Sequence, residues 1–321
     1  MMKALLVNDY NGPETMQYTE IENPAPKDNE VVIQVQYSGV GLVDILFSRG
    51  FGQRKLPFIP GLEVSGTVKN VGKNVEKFKK GDRVAALTIN GLKGFAELVS
   101  VGEDYVVKVP DELDLGIAAG TLTNTATALV LLKEITPIHV GGSLLVYGAT
   151  GGLGSQVGQI AKLLGAQKVV GVVSTESKKV KAEQLGFDHV YLQEEFLNSS
   201  NELFDIVVDP IGGKQRKLNL DRLNPYGSLA IVGNASQEEL ADINPDTLWL
   251  KNLSITGFNF GMYTSQYTKR VNKYLEWAIQ LIYQKQLDLP TVYKTPISEA
   301  SESLIKLENG EINGKLLLEY H

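Results

Sequence analysis

A chain of 321 residues is longer than one hydrophobic core usually reaches, so two domains are expected. Apolar residues make up 43% and charged residues 21%, the balance of an ordinary soluble globular protein, and a net charge of −6 argues against nucleic acid as a main partner. The absence of cysteine excludes disulfides, thiolate-held zinc, iron–sulfur clusters and a thiol nucleophile.

The opening MMKALLVNDY has too short an apolar run for a signal peptide and reads as a first strand. No stretch approaches the ~20 apolar residues that span a bilayer, so a cytoplasmic protein is expected. Residues 4–7, 30–37, 64–68, 83–87 and 95–99 are short runs rich in Val, Ile and aromatics. Turn signals such as Asn11-Gly12-Pro13, Pro60-Gly61 and Lys80-Gly81-Asp82 separate them, and together they predict a partly closed β-barrel. Residues 41–47 form a short helix carrying Asp44, and 116–132, with helical spacing and few charges, reads as a pair of buried helices.

The most informative stretch follows. Residues 144–147 are an apolar run of buried-strand length, after which comes Gly148-Ala149-Thr150-Gly151-Gly152-Leu153-Gly154. Then Val157, Ile160, Ala161 and Leu164 fall on one helical face, closed by Gly165. Strand, glycine turn and helix in this order bring free N–H groups and the positive end of a helix to a diphosphate. Ala149, Thr150, Gly151, Gly152, Leu153 and Gly154 are therefore the expected dinucleotide turn, with Ala149 in the place of the first glycine. Strands at 168–173, 189–192, 204–208, 228–232 and 253–258 alternate with helices at 177–185 and 216–220, the signature of βαβ units and a parallel sheet. A long amphipathic helix at 267–284 and a last strand at 315–320 complete the chain.

The second strand of a dinucleotide fold usually ends in an acid that bonds the ribose 2′-hydroxyl. Here that place is Ser174, followed by Thr175 and then Lys178. Hydroxyls and a lysine bond a 2′-phosphate that a carboxylate would repel, so NADPH is the expected cofactor, with Glu176 close enough to replace part of the missing acid. Loops at the carboxyl ends of the later strands, 209–213, Gly233-Asn234 and 258–261, are expected to line the nicotinamide pocket. His139, His189 and His321 are scattered and each lacks a second ligand at metal spacing, so no metal site is expected.

Several stretches in order resemble the zinc-free medium-chain dehydrogenase/reductases of the quinone oxidoreductase, zeta-crystallin-like type. They are Gly61-Leu62-Glu63-Val64-Ser65-Gly66, Gly81-Asp82-Arg83-Val84, Thr127-Ala128, the turn at 148–154, the 209–213 loop and Gly314-Lys315-Leu316-Leu317-Leu318. The resemblance implies a Rossmann cofactor domain (122–264) inserted in a GroES-like catalytic domain (1–121 and 265–321), the active site lying in the cleft between them. It places Leu62 where zinc-dependent relatives have a histidine. It sets Thr127 against the nicotinamide carboxamide, Gly233, Asn234, Phe258 and Phe260 around ring and ribose, Lys178 on the 2′-phosphate, and the segment of Lys315 near the cofactor. It also suggests a homodimer paired through an edge strand.

Three positions depart from the family pattern: Gly41 where it commonly has Asn, Leu46 where it has Tyr, and Gln193 where a Tyr near the adenosine phosphate is expected, with Tyr191 two residues away. The expected chemistry is hydride transfer to a quinone or an α,β-unsaturated carbonyl. The alternatives are an alkenal/one or enoyl-thioester reductase and a non-catalytic NADPH-binding structural protein. Reduction of an enone needs a proton donor, for which Tyr263 is the candidate, while Asp44 and Glu63 are expected to act structurally.

Overall fold

A computed structural model of the chain describes residues 1–199, 201–238, 242–289, 291–312 and 314–320; His321 lies outside them. Two compact units are present, one made of Met1–Ala126 with Thr264–His321, the other of Thr127–Tyr263. The α/β class read from the sequence is the class observed: a β-rich unit assembled from both ends of the chain, and a parallel-sheet unit inserted in it.

The first unit begins with strands β1 (Met2–Leu6), β2 (Gln17–Ile21) and β3 (Glu30–Gly39), helix α1 (Leu42–Ser48), and strands β4 (Glu63–Val71), β5 (Arg83–Leu87), β6 (Leu98–Gly102) and β7 (Val106–Lys108). Strand β2 escapes sequence reading because QYTEI is largely exposed and pairs only with β1. Helix α2 (Leu115–Val130) follows and runs on into a π-helical turn, Leu131–Ile135.

The second unit contains β8 (Ser143–Tyr147), α3 (Gly152–Leu163), β9 (Lys168–Val173), α4 (Glu176–Glu183), β10 (His189–Leu192), α5 (Gln193–Ser199), β11 (Phe204–Asp209), α6 (Gln215–Leu220), β12 (Leu223–Ile231), α7 (Pro245–Lys251) and β13 (Ser254–Gly257). The chain then continues through α8 (Phe260–Gln266) and α9 (Thr268–Tyr283), and ends in β14 (Val292–Pro296), α10 (Ala300–Glu308) and β15 (Lys315–Glu319).

One continuous helix stands where a pair was expected. Gly116 and Gly120 are both points of close approach: a Cβ on either would lie 3.0–3.2 Å from Leu317, on the strand that packs there. Glycine here admits a neighbour rather than ending the helix. The same segment corrects the membrane expectation. Leu115–Ile135 is, by length and composition, apolar enough to cross a bilayer. In the fold 83% of that window is buried inside the protein, as in a core helix.

In the first unit seven strands run in the order β14-β15-β3-β4-β5-β7, with β6 also on β3. The C-terminal β15 lies antiparallel to β3, placing Leu317 opposite Gly39 and Leu318 opposite Ser38. Alternating residues Val31, Ile33 and Val35 of β3 pack with Val64, Val84 and Val99. A separate cluster joins Leu5, Ile45 and Phe95 to Leu316 and Leu318.

The second unit is one parallel sheet, ordered β10-β9-β8-β11-β12-β13. From β8 the chain moves outward through β9 and β10, then crosses to β11 on the other side of β8. That reversal opens a crevice at the carboxyl ends of β8 and β11, where ligands bind in open α/β sheets.

Candidate functional site

The predicted glycine turn lies at that crevice. It connects the end of β8 at Tyr147 to the first turn of α3, and Gly151 occupies the position before the helix. Gly148 adopts φ +66°, and a Cβ on Gly154 would run into the Gly148 carbonyl. The turn is therefore as tight as backbone allows. Ala149 fits the first-glycine place because of a neighbour: any Cβ at Gly171 of β9 would come within 2.7 Å of the Ala149 methyl. A glycine has been moved one strand over. Thr150 is nearly buried while Gly151 is exposed, so the head of the helix is open to an anion.

At the end of β9, Ser174 and Thr175 are exposed and Lys178 lies one turn into α4. The Lys178 ammonium donates to Ser174 Oγ at 3.2 Å, so the two residues chosen for a 2′-phosphate converge. The adjacent Lys179 is instead held by Glu195 at 2.9 Å, and Glu176 sits exposed in the same turn. Gln193, which replaces the family tyrosine near the adenosine phosphate, donates from Nε2 to Gln215 Oε1 at 2.7 Å.

The loops after β11 and β12 are laced together. Asp209 is buried at the end of β11, and its Oδ1 accepts the N–H groups of Ile211 (2.9 Å) and Gly212 (2.8 Å). Its Oδ2 accepts Arg216 Nε at 3.0 Å, and Arg216 Nη2 donates to the Gly233 carbonyl at 2.8 Å. Ala235 N–H donates to Pro210 O and Ser236 N–H to Ile211 O. Sequence reading misses Arg216, since seven residues separate it from Asp209 and its second partner is a backbone carbonyl.

Phe258 and Phe260 pack edge to face with centroids 6.2 Å apart, and Phe258 also meets Tyr263 at 6.1 Å. The Tyr263 hydroxyl donates to Glu134 Oε2 at 2.6 Å, which fixes the phenol on the π-helical turn. Thr127, on α2, is nearly buried.

Among its described residues the first unit carries three buried ionisable side chains, Asp44, Glu63 and Lys315. Asp44, wholly buried in α1, accepts Gly41 N–H on Oδ2 and Gly61 N–H on Oδ1, both at 2.9 Å. Burial pushes its carboxyl up to about 6 against the pull of these bonds and of Lys315. Glu63 forms an ion pair with Lys315 at 2.6 Å and accepts Thr123 N–H at 2.8 Å on its other oxygen. Both members of that pair are less than a tenth exposed. Beside them Phe47, Leu62 and Leu92 form an apolar cluster with Val43, Phe58 and Ile89 against it.

Two family models match. Residues 27–111 match the alcohol dehydrogenase GroES-like domain and residues 152–279 the zinc-binding dehydrogenase domain. The donor set does not fit zinc: the chain has no cysteine, and among the described residues no group of three or more His, Asp or Glu could hold a metal. The chain is 30% identical to the quinone oxidoreductase of Sus scrofa over 99% of its own length and 98% of the relative's. It superimposes on the quinone oxidoreductase of Pseudomonas syringae with a TM-score of 0.88, 25% identity and full coverage of both chains. A mycobacterial protein solved in complex with NADPH gives a TM-score of 0.86 and 26% identity, again over the whole of both chains.

Proposed function

Because this chain belongs to the quinone oxidoreductase family of the medium-chain dehydrogenase/reductases and is an oxidoreductase, we propose that it reduces a quinone or similar electron-poor carbonyl acceptor with NADPH. The observation that carries the reading is the Lys178–Ser174 pair at the end of β9, beside a turn too tight for any residue but glycine at Gly154. A cation and two hydroxyls suit a 2′-phosphate, and the open head of α3 suits the diphosphate. The NADPH complex of the mycobacterial relative supports the same assignment.

In this reading the turn Ala149–Gly154 holds the diphosphate, and Ser174, Thr175 and Lys178 hold the 2′-phosphate. Thr127, Gly233, Asn234, Phe258 and Phe260 orient the nicotinamide half. Bound there, the reduced nicotinamide supplies a hydride to the acceptor. The protein's part is placement and exclusion of water, and no metal takes part. Asp44 and Glu63 act by holding backbone, Asp44 through the amides of Gly41 and Gly61.

A second acceptor class is favoured by the apolar cluster of Phe47, Leu62 and Leu92, together with Leu46 and Gly41 in the places of a tyrosine and an asparagine. These suit an enal, an enone or an enoyl thioester. The deciding experiment is NADPH oxidation by the purified protein with 1,2-naphthoquinone, 9,10-phenanthrenequinone, 2-hexenal and crotonyl-CoA, each repeated with NADH. Quinone turnover with NADPH is the expected outcome. Turnover of the enal or thioester alone would replace the acceptor class, and tight NADPH binding without turnover would make the protein a non-catalytic binder.

A further inference from the structure

Arg216 is a cation buried in the second unit, its side chain 5% exposed, and it pairs with Asp209, whose side chain is 2% exposed. A buried pair of this kind is a weak source of stability, because desolvation offsets most of the attraction. Its geometry suggests another use. One edge of the guanidinium is spent on Asp209 Oδ2, at the end of β11, and the other on the carbonyl of Gly233, beyond the end of β12. The carboxylate itself is saturated by Ile211 and Gly212 N–H, so it cannot turn away from the arginine without losing two further bonds.

The peptide unit is planar and trans, so its C=O and N–H point in opposite directions. Holding the Gly233 carbonyl against Arg216 therefore turns the Asn234 N–H away from the clamp. Among the described residues that N–H has no hydrogen-bond partner. The glycines fit the same arrangement: a Cβ at Gly212 would strike Asn234 Oδ1, and one at Gly233 would lie 2.7 Å from Pro210 O. Here two loops are packed backbone to backbone with one arginine across them.

We propose that Arg216 is a positioning residue for the cofactor: it fixes the Gly233–Asn234 peptide so that its N–H donates to the nicotinamide half. The inference rests on the NADPH reading given above. Lysine cannot replace it, since an ammonium lacks the planar fork that spans both acceptors. R216K keeps the charge beside Asp209 and is the first variant. The neutral pair D209N/R216M removes the clamp without stranding a buried charge and is the second.

The test is calorimetric binding of NADPH and of 2′-phospho-ADP-ribose, which lacks the nicotinamide, with a thermal unfolding midpoint recorded for each protein. The expected result is at least a fivefold loss of NADPH affinity in both variants, with 2′-phospho-ADP-ribose changed less than twofold. Equal loss for both ligands would mean general loosening and overturn the proposal, as would no loss for either. Wild-type protein that binds neither ligand would overturn the NADPH reading itself, and the clamp's role with it.

Discussion

Asp44 is wholly buried, and its titration follows from that. Burial holds a proton on the folded carboxyl up to about pH 6, against 3.8 for the ordinary group. A raised acid pKa means the folded state binds more protons than the unfolded state between those values. Its contribution to stability is therefore fully present below pH 3.8 and is lost as pH rises through 6. Asparagine does not titrate. The stability of wild type minus that of D44N should accordingly fall by about 2 kcal/mol between pH 4 and pH 7. Urea unfolding at several pH values measures it, and a flat difference would mean that Asp44 is ionised throughout. The buried pair of Glu63 and Lys315 was beyond reading from sequence, since 252 positions separate the partners. Glu63 was expected to act structurally and Lys315 to lie near the cofactor, and nothing local to either names the other as its partner.

Among elements, helix α3 shows how far spacing alone can carry. Its turn was legible because Gly148, Gly151 and Gly154 recur at fixed offsets between an apolar strand and an amphipathic helix, and each offset answers a steric demand. A methyl at Gly154 meets the Gly148 carbonyl, which is backbone and cannot rotate aside. G154A should lose about 1–3 kcal/mol of stability, the range for forcing extra volume into a packed site, together with NADPH binding. G257A, where nothing lies within 4 Å of a new Cβ, should stay within about 0.5 kcal/mol of wild type. Thermal midpoints and cofactor titration separate the two; equal effects would remove the steric account of the turn. Helix α2 shows the opposite case. The strand that needs the small size of Gly116 and Gly120 comes almost two hundred residues later. Periodicity reports what faces a helix, not what approaches it.

For the molecule as a whole, the fold class and the order of the sheets were readable because βαβ alternation and short turn-separated strands are local signals. That the two ends of the chain share the first unit was expected from the resemblance, but the pairing of β15 with β3 was not readable, since no local signal marks it. Leu316, Leu317 and Leu318 of β15 are buried, at about 1.5–3 kcal/mol each, and Lys315 neutralises Glu63, whose stranding would cost about 3–5 kcal/mol. Their sum, about 7.5–14 kcal/mol, is comparable with the whole stability of a typical domain. A chain stopped after Gly314 should thus have a first unit that is open to proteolysis and lacks a cooperative transition. Limited trypsin digestion followed by mass spectrometry checks this, and protection of residues 1–126 equal to wild type would refute it.

The same closure sets an order of events at the ribosome. The inserted parallel sheet is contiguous in sequence, so it is complete before synthesis ends. The first unit has by then been waiting, with the Tyr37–Gly39 end of β3 still missing the partner that β15 brings. An unpaired strand end is a template for other chains. The newborn protein is therefore most prone to stick to its neighbours until β15 has been made, and its pairing ends that exposure.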